Sequence, residues 1–434
     1  MTCDSLSSIV LIAATHRWVN PRDLSRLYLD LDYAYRKLSE IAEERFVFQT
    51  CHRVEFYLLT NDGVNPERVL ERLYGNARNV LTYFRYFTGE DAVRHLLKVA
   101  SGLDSAILGE CEVLGQLETA YDYATRNRHI RDVLRLVVER AIRFGKYVRT
   151  STGISRGVTG FGSLTVLYLK KLYQTLDDLK ILIIGAGEMG STLAKELHDA
   201  GARHVIILNR TIEKAKELAE RYNYKYDLLT KENLIKYLQE VDVAIFAVSV
   251  REPLLRGEDI SQLRRRPLII DLGMPHNVDE NVDTAVVWLE DLAKLAEKYN
   301  KEKLEEAKKI EELIEKELEN ITSELRKKTL KNLLSQYIKF VNNIATKELE
   351  KAITQKVIRP EDKEKVGIVI RAITNKALRP LIRLVEEYSK QDPQQIAKIL
   401  NDLTRLIKEE FEQHTATTND ENGSRRHGEE GPKR

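Results

Sequence analysis

KILIIGAGEMG, residues 180–190, decides the fold. The apolar run Ile181 to Ile184 is too short for a buried helix and reads as a strand covered on both faces. Gly185, Ala186, Gly187, Glu188, Met189 and Gly190 follow, with the glycine spacing of a dinucleotide-binding turn, and Ser191 to Ala200 reads as a helix. Such a turn leaves free N–H groups at a helix N-terminus, where a pyrophosphate is held by hydrogen bonds and the helix dipole. Strands at Val205–Leu208, Val243–Val248 and Leu268–Asp271, with a helix at Ile212–Tyr222, extend the alternation. A doubly wound parallel sheet is expected. The second strand ends in Asn209-Arg210-Thr211, where a carboxylate would hold the ribose 2′-hydroxyl of NAD. A guanidinium and a hydroxyl suit a 2′-phosphate instead, so NADPH is the expected cofactor.

Upstream lies a less regular region. Ser8–Ala14, Phe46–Gln49 and Val54–Thr60 have strand character, and Pro21–Ala42, Pro66–Phe87 and Asp91–Val99 have helical periodicity. Mixed elements without regular alternation predict a compact α+β domain. At the junction of two strands stands Thr50-Cys51-His52-Arg53. A cysteine can accept an acyl group as a thioester that a hydride donor then reduces, and an adjacent imidazole and guanidinium would favour the thiolate. Residues 102–116 are dense in small and polar residues, among them Ser105, Glu110, Cys111, Glu112 and Gln116, and read as a binding loop. Its carboxylates suit a substrate ammonium and Arg53 a carboxylate, a pairing appropriate to an α-amino acid.

Downstream, no Gly or Pro occurs from His276 through Arg359, so a long connecting helix leading to a helical bundle near 325–412 is expected. Coiled-coil-like packing there would make a dimer. From Thr415 the chain is polar without apolar anchors and reads as disordered. The chain has 434 residues, 43% hydrophobic and 31% charged, and a formal net charge of +2. Any nucleic-acid surface must then be local. The local candidate is the basic stretch Arg126, Arg128, Arg131, Arg135, Arg140, Arg143, Lys146, Arg149 and Arg156, opposed only by Asp132 and Glu139. No run approaches the roughly 20 apolar residues that span a bilayer. The N-terminus has no secretion-signal pattern. Three cysteines without regular spacing argue against disulfides or a zinc site. A cytoplasmic, reduced protein is expected, with no metal. The Lys, Glu and Ile content hints at a thermophile.

Taken together, TCHRVEFY at 50–57, HLLKVASGLDSAILGECEVLGQ at 95–116, GKYVRTSTGISRG at 145–157, GAGEMG with NRT, and DLGMPHNVD at 271–279 resemble the glutamyl-tRNA reductase family. The resemblance covers nearly the whole chain in order. It implies a multidomain α/β protein: an α+β catalytic domain over 1–157, a Rossmann NADPH domain over 158–284, and a spinal helix leading to an all-α dimerisation domain over 285–414, with 415–434 as tail. It implies reduction of glutamyl-tRNA to glutamate-1-semialdehyde through a cysteine thioester, the first step of tetrapyrrole synthesis. Cys51 is the implied nucleophile, and His95 assists proton transfer or positions the ester. Thr50, His52, Arg53, Ser105, Glu110, Cys111, Glu112 and Gln116 are the implied substrate contacts. Glutamyl-tRNA, a second copy of the chain and glutamate-1-semialdehyde aminomutase are the implied partners. The chain departs from the family pattern at His52 (usually Asn), Cys111 (usually Pro), Glu112 (usually Gln) and His276 (usually Arg). Two rivals are a dehydrogenase of a free small acid, like shikimate dehydrogenase, and a non-catalytic tRNA- or protein-binding relative.

Overall fold

In the computed structural model, which describes residues 6–60, 63–248, 250, 252–388, 398–399, 402–403 and 405–406, the chain forms two compact units, Ser7–Glu319 and a second from Asn320 onward. The first unit begins with β1 (Ile9–Thr15), α1 (Pro21–Ser25), α2 (Leu31–Leu38), β2 (Glu44–Thr50), β3 (Arg53–Leu59), α3 (Pro66–Tyr74), β4 (Arg85–Thr88), α4 (Gly89–Ser101), α5 (Glu112–Arg126) and α6 (Val133–Ser151). The strands make an antiparallel sheet in the order β2-β3-β1-β4. β1 is buried at every residue, as expected of a strand with packed neighbours on both faces.

Two expected helices are shorter than their periodicity implied. Pro21–Ala42 splits because Asn20 and Asp30 each cap a separate helix, and the Gln49 side chain bonds both the N–H and the carbonyl of Leu29 at 3.0 Å. That amide acts as a strand partner and holds the linker out of helix. Pro66–Phe87 stops at Gly75, which has φ +76, and its last residues pair with β1 as β4. A glycine in that conformation ends a helix at little cost.

The unit continues with α7 (Phe161–Tyr173), β5 (Lys180–Ile184), α8 (Glu188–Asp199), β6 (His204–Asn209), α9 (Ile212–Tyr222), β7 (Lys225–Leu228), α10 (Lys231–Leu238), β8 (Val243–Phe246), α11 (Gly257–Ser261), β9 (Leu268–Asp271), β10 (Val286–Trp288) and α12 (Leu289–Glu302). The six strands lie in the order β7-β6-β5-β8-β9-β10, each neighbour pair parallel. Within β5, Ile181 and Ile183 pack into one core while Leu182 and Ile184 pack into another on the opposite face. The sheet is thus covered on both sides, and the order reverses direction at β5 and β8, where ligands bind in such folds. It takes in β10, beyond residue 284.

After α12 the chain breaks helix for Lys303 and resumes as α13 (Leu304–Thr354). Lys303 is 7% exposed, and its ammonium donates to the carbonyls of Leu108 at 2.8 Å and Val158 at 2.6 Å. Asn300 accepts from the Leu108 N–H at 2.8 Å and donates to the Ala106 carbonyl at 2.9 Å. Through Glu319, α13 also pairs with α4 and α6, by Arg94 with Glu315 and Arg140 with Glu317.

The second unit holds the rest of α13 and, after a turn at Pro360–Asp362, α14 (Lys363–Tyr388). Leu330 and Val385 are its buried centre, with Leu333, Leu334 and Leu381 packed around them. Ile368, Val369 and Ile373 of α14 are each more than half exposed. The expected tail at 415–434 lies outside the described residues, as does most of the expected bundle beyond 388.

Candidate active site

Thr50 of β2 pairs with Arg53 of β3, so Cys51 and His52 are the two residues of a hairpin turn. The turn is anchored: Thr50 Oγ1 accepts from the His52 N–H at 3.2 Å, and the His52 carbonyl accepts from the His16 N–H at 2.9 Å. Cys51 Sγ lies 3.3 Å from His52 Nδ1. The His52 ring packs against Phe161, with centroids 5.6 Å apart, and edge-on against His16 at 5.3 Å.

The loop between α4 and α5 comes to the same place because two glycines turn it. Gly102 and Gly109 both have φ +79, and a Cβ on Gly109 would sit 2.2 Å from the Ile154 carbonyl oxygen. The loop carries Glu110 into a buried position, 6% exposed, and sets Glu112 at the start of α5. Burial pushes the Glu110 carboxyl above the usual carboxylate range, and the Arg53 guanidinium offsets part of the effect. Burial, then Glu110 and Glu188, raise Glu112 to about 7.

These carboxylates overturn one expectation. Burial, followed by Glu110 and Glu112, pushes the Cys51 thiol up to about 12, with Arg53 opposing them. The imidazole beside it gives no positive charge. Burial, then His16 and Arg53, holds His52 down to about 3. His16 is likewise held at about 4, chiefly by burial. Both shifts favour the thiol over the thiolate and the neutral ring over the imidazolium.

Arg53 is 1% exposed. Nη1 donates to Glu55 at 2.9 Å and to the Asp104 carboxylate at 3.0 Å, and Nη2 to the Asp104 carbonyl at 3.0 Å. Its Nε has no hydrogen-bond partner among the described residues. His95 Nε2 is 2.8 Å from the Glu55 carboxylate, and its ring stacks on Phe87. Burial alone would raise Glu55, but His95 and Arg53 overcome it and hold the carboxyl near 2. The imidazole in contact with the cysteine is His52. Cys111 is exposed and caps α5, its Sγ 3.8 Å from the Gly109 carbonyl.

Facing the cysteine is the expected nucleotide turn. A Cβ on Gly185 would lie 2.5 Å from the Ala247 carbonyl, and one on Gly190 only 2.1 Å from the Gly185 carbonyl. At Gly187 nothing lies within 4 Å, so the backbone there faces open space. These are the three demands that a dinucleotide makes on such a turn: a tight bend, close helix packing and an open approach for pyrophosphate. Asn209 joins the turn to β6, accepting from the Ala186 N–H at 3.2 Å and donating to the Thr211 carbonyl at 2.9 Å.

A cavity of about 610 Å³ unites the two halves. Its wall contains Cys51, Glu112 and Gln116 on one side and Ala186, Gly187, Glu188, Met189, Asn209, Arg210 and Thr211 on the other. Arg210 and Thr211 are exposed there. Thr50, His52, Arg53, Ser105, Glu110 and His95 stand behind Cys51 rather than in the wall. Sequence reasoning missed Lys214, four residues after Arg210 on α9, together with Val248 and Met274 at the carboxyl ends of β8 and β9. The position of Lys214 in the first turn of α9, just after Arg210, and the rule that ligands bind at the carboxyl ends of strands, could have found them.

The basic stretch is largely engaged within the chain. Arg140 pairs with Glu317, Arg143 with Glu139, Lys146 with Glu118 and Arg126 with Asp122. Arg149 donates to the carbonyls of Ala100 and Glu110, each at 2.7 Å. Those contacts brace the helices and the loop between α4 and α5.

Comparison with known proteins places these features in context. Residues 12–152 match the model of the glutamyl-tRNA(Glu) reductase N-terminal domain, and residues 309–409 match that of its dimerisation domain. Residues 168–297 match the shikimate/quinate 5-dehydrogenase model. The chain is 38% identical over 349 residues to glutamyl-tRNA reductase 1 of Pyrobaculum calidifontis, covering 80% of this chain and 87% of that one. It is 35% identical over 410 residues to glutamyl-tRNA reductase of Pyrobaculum neutrophilum, covering 93% and 99%. The solved glutamyl-tRNA reductase of Methanopyrus kandleri superposes with a TM-score of 0.51 at 30% identity, over 91% of this chain and 99% of that one.

Proposed function

The chain belongs to the glutamyl-tRNA reductase family, and on that premise we propose that Cys51 takes the glutamyl group from its tRNA ester as a thioester, which is reduced to glutamate-1-semialdehyde with NADPH. It is an oxidoreductase with a nucleotide-binding parallel sheet and a dimerisation domain. One observation carries the mechanism: a single cavity is lined by the thiol of Cys51 and by the turn Ala186–Met189.

Gly187 and the N-terminus of α8 would hold the pyrophosphate, and Arg210, Thr211 and Lys214 the 2′-phosphate. When bound, the reduced nicotinamide supplies a hydride. Glu112, in the cavity wall, gives the α-ammonium of the glutamyl group its counter-charge, with Glu110 and Arg53 as the charges behind it. Cys51 attacks the ester carbonyl, and departure of the tRNA 3′-oxygen leaves a thioester. A thioester accepts hydride where a carboxylate does not, which is the chemical reason for the thiol. Asp104 and Glu55 fix Arg53, and His95 fixes Glu55, so these three act by position.

Residues 1–157 would recognise glutamate and catalyse, 158–284 with β10 would hold NADPH, and 285–414 would carry the dimer contact. The exposed Ile368, Val369 and Ile373 support a homodimer. Because the product is a reactive aldehyde, the aminomutase that consumes it is the proposed downstream partner. No described helix is long and apolar enough to cross a membrane.

The deciding experiment is NADPH oxidation with glutamyl-tRNA, with free glutamate and with uncharged tRNA. Oxidation only with the charged tRNA, lost in Cys51→Ser, is the expected result. Equal oxidation with free glutamate would instead support a small-acid dehydrogenase.

A further inference from the structure

Sγ of Cys51 has one side-chain hydrogen-bond partner among the described residues, His52 Nδ1 at 3.3 Å. The ring cannot easily turn away, since Phe161 covers one face, His16 abuts it edge-on and the turn backbone is bonded to Thr50 and His16. The groups facing the pair are His16 after β1, Tyr28 before α2, Arg53 on β3, Glu110 and Glu112 at α5, and Glu188 across the cavity on α8. Carboxylates on the far side disfavour a negative sulfur, and burial and the Arg53 cation disfavour a positive ring.

We propose that His52 is the general base and acid of acyl transfer, accepting the Cys51 proton as sulfur attacks, and that it works against the opposing carboxylate of Glu112. This rests on the reading of Cys51 as the nucleophile. The Nδ1 lone pair takes the S–H proton while the sulfur pair forms the S–C bond and the carbonyl electrons move to oxygen. On collapse the C–O bond to the ribose breaks, and Nδ1–H returns its proton to the departing oxygen. Ester and thiol become thioester and alcohol, with no net change at His52. The role requires the Nε2–H tautomer, which leaves Nδ1 free to accept. The substrate ammonium, placed against Glu110 and Glu112, neutralises the charges that oppose the developing sulfur anion, so proton transfer is tied to binding of the correct substrate.

The test uses the full chain and glutamyl-tRNA without NADPH, measuring single-turnover release of tRNA against pH for wild type, His52→Asn and His52→Gln, and alkylation of Cys51 in the free protein for wild type and Glu112→Gln. Retained NADPH binding certifies folding of each. Loss of His52 should slow release by roughly 10²- to 10⁴-fold near neutral pH, with little change in the substrate concentration for half-maximal rate and a deficit that narrows as pH rises. Glu112→Gln should speed alkylation of Cys51 by iodoacetamide. A His52 variant with the wild-type rate and pH profile, or a Glu112→Gln variant alkylated no faster than wild type, overturns the proposal. Undiminished release by Cys51→Ser would overturn the thioester reading itself, which is a separate outcome.

Discussion

The Gln116 amide donates to the Glu188 carboxylate at 3.4 Å, joining the helix that follows the substrate loop to the first turn of the nucleotide helix. Glu188 in turn is one of the charges that lift Glu112. After burial and Glu110, Glu188 on α8 thus adds to the shift of Glu112 on α5.

That relationship predicts a pH effect. Glu112 rests near 7 in place of the ordinary carboxylate value. If its carboxylate holds the substrate ammonium, kcat/KM should fall as pH drops through about 7, where the carboxyl gains its proton. Glu188→Gln removes a raising charge and should shift this inflection downward. Glu112→Gln should abolish it. Profiles of kcat/KM for the three proteins check the sign, and an unchanged inflection in Glu188→Gln would contradict the coupling.

Cofactor choice is predicted to reside in Arg210 and Lys214. Neither has an ion-pair partner among the described residues, and both line the cavity. A charge-assisted hydrogen bond is worth about 1.5–3 kcal/mol. Replacing either with Ala should raise the KM for NADPH roughly 10- to 100-fold and leave that for NADH nearly unchanged. Steady-state kinetics with both cofactors decide it; equal losses would point to a general effect on the turn.

Lys303→Met should destabilise the first unit and slow turnover together. The variant removes the donor from two carbonyls, those of Leu108 and Val158, at a buried position. Each buried group left without a partner costs about 1–3 kcal/mol. Thermal unfolding should move down by several degrees, while cofactor binding in the folded protein persists. A melting curve superimposable on wild type would show that water replaces the ammonium there.

Glu44 offers a purely structural prediction. Its carboxylate, 4% exposed, accepts the N–H groups of Arg131, Asp132, Val133 and Leu134 at 2.9–3.1 Å, capping α6 from another strand. Glu44→Ala should cost about 1–3 kcal/mol in denaturant titration. Glu44→Gln should lose less, because one oxygen can still accept.

The parallel sheet was legible because local signals agree: an apolar strand, glycines at fixed spacing, and a helix at Ile212–Tyr222 that the structure reproduces residue for residue. The hairpin at Cys51 was legible for the same reason. What escaped depends on partners remote in sequence. Gln49 divides the first expected helix by bonding Leu29, and residues near Phe87 become strand because β1 offers them an edge. β7 and β10 are short and were not singled out. The electrostatic surroundings of Cys51 are not legible in sequence because its neighbours along the chain are basic, while its neighbours in space include Glu110 and Glu112, some 60 residues away along the chain. Likewise the run of arginines between 126 and 156 gave no sign that acids such as Glu317 would claim it.

The reversal of strand order between β5 and β8 gives the sheet a cleft that is chemically neutral about what is reduced. The Cys51 thiol lines that cleft from a two-residue turn belonging to a different sheet. On the proposed function, specificity and redox power reside in separate parts of the chain. Changing a few residues at the tip of one hairpin would alter which acyl group is taken without disturbing how electrons are delivered, a division of labour by which an ancestral dehydrogenase half could be recruited to a new substrate.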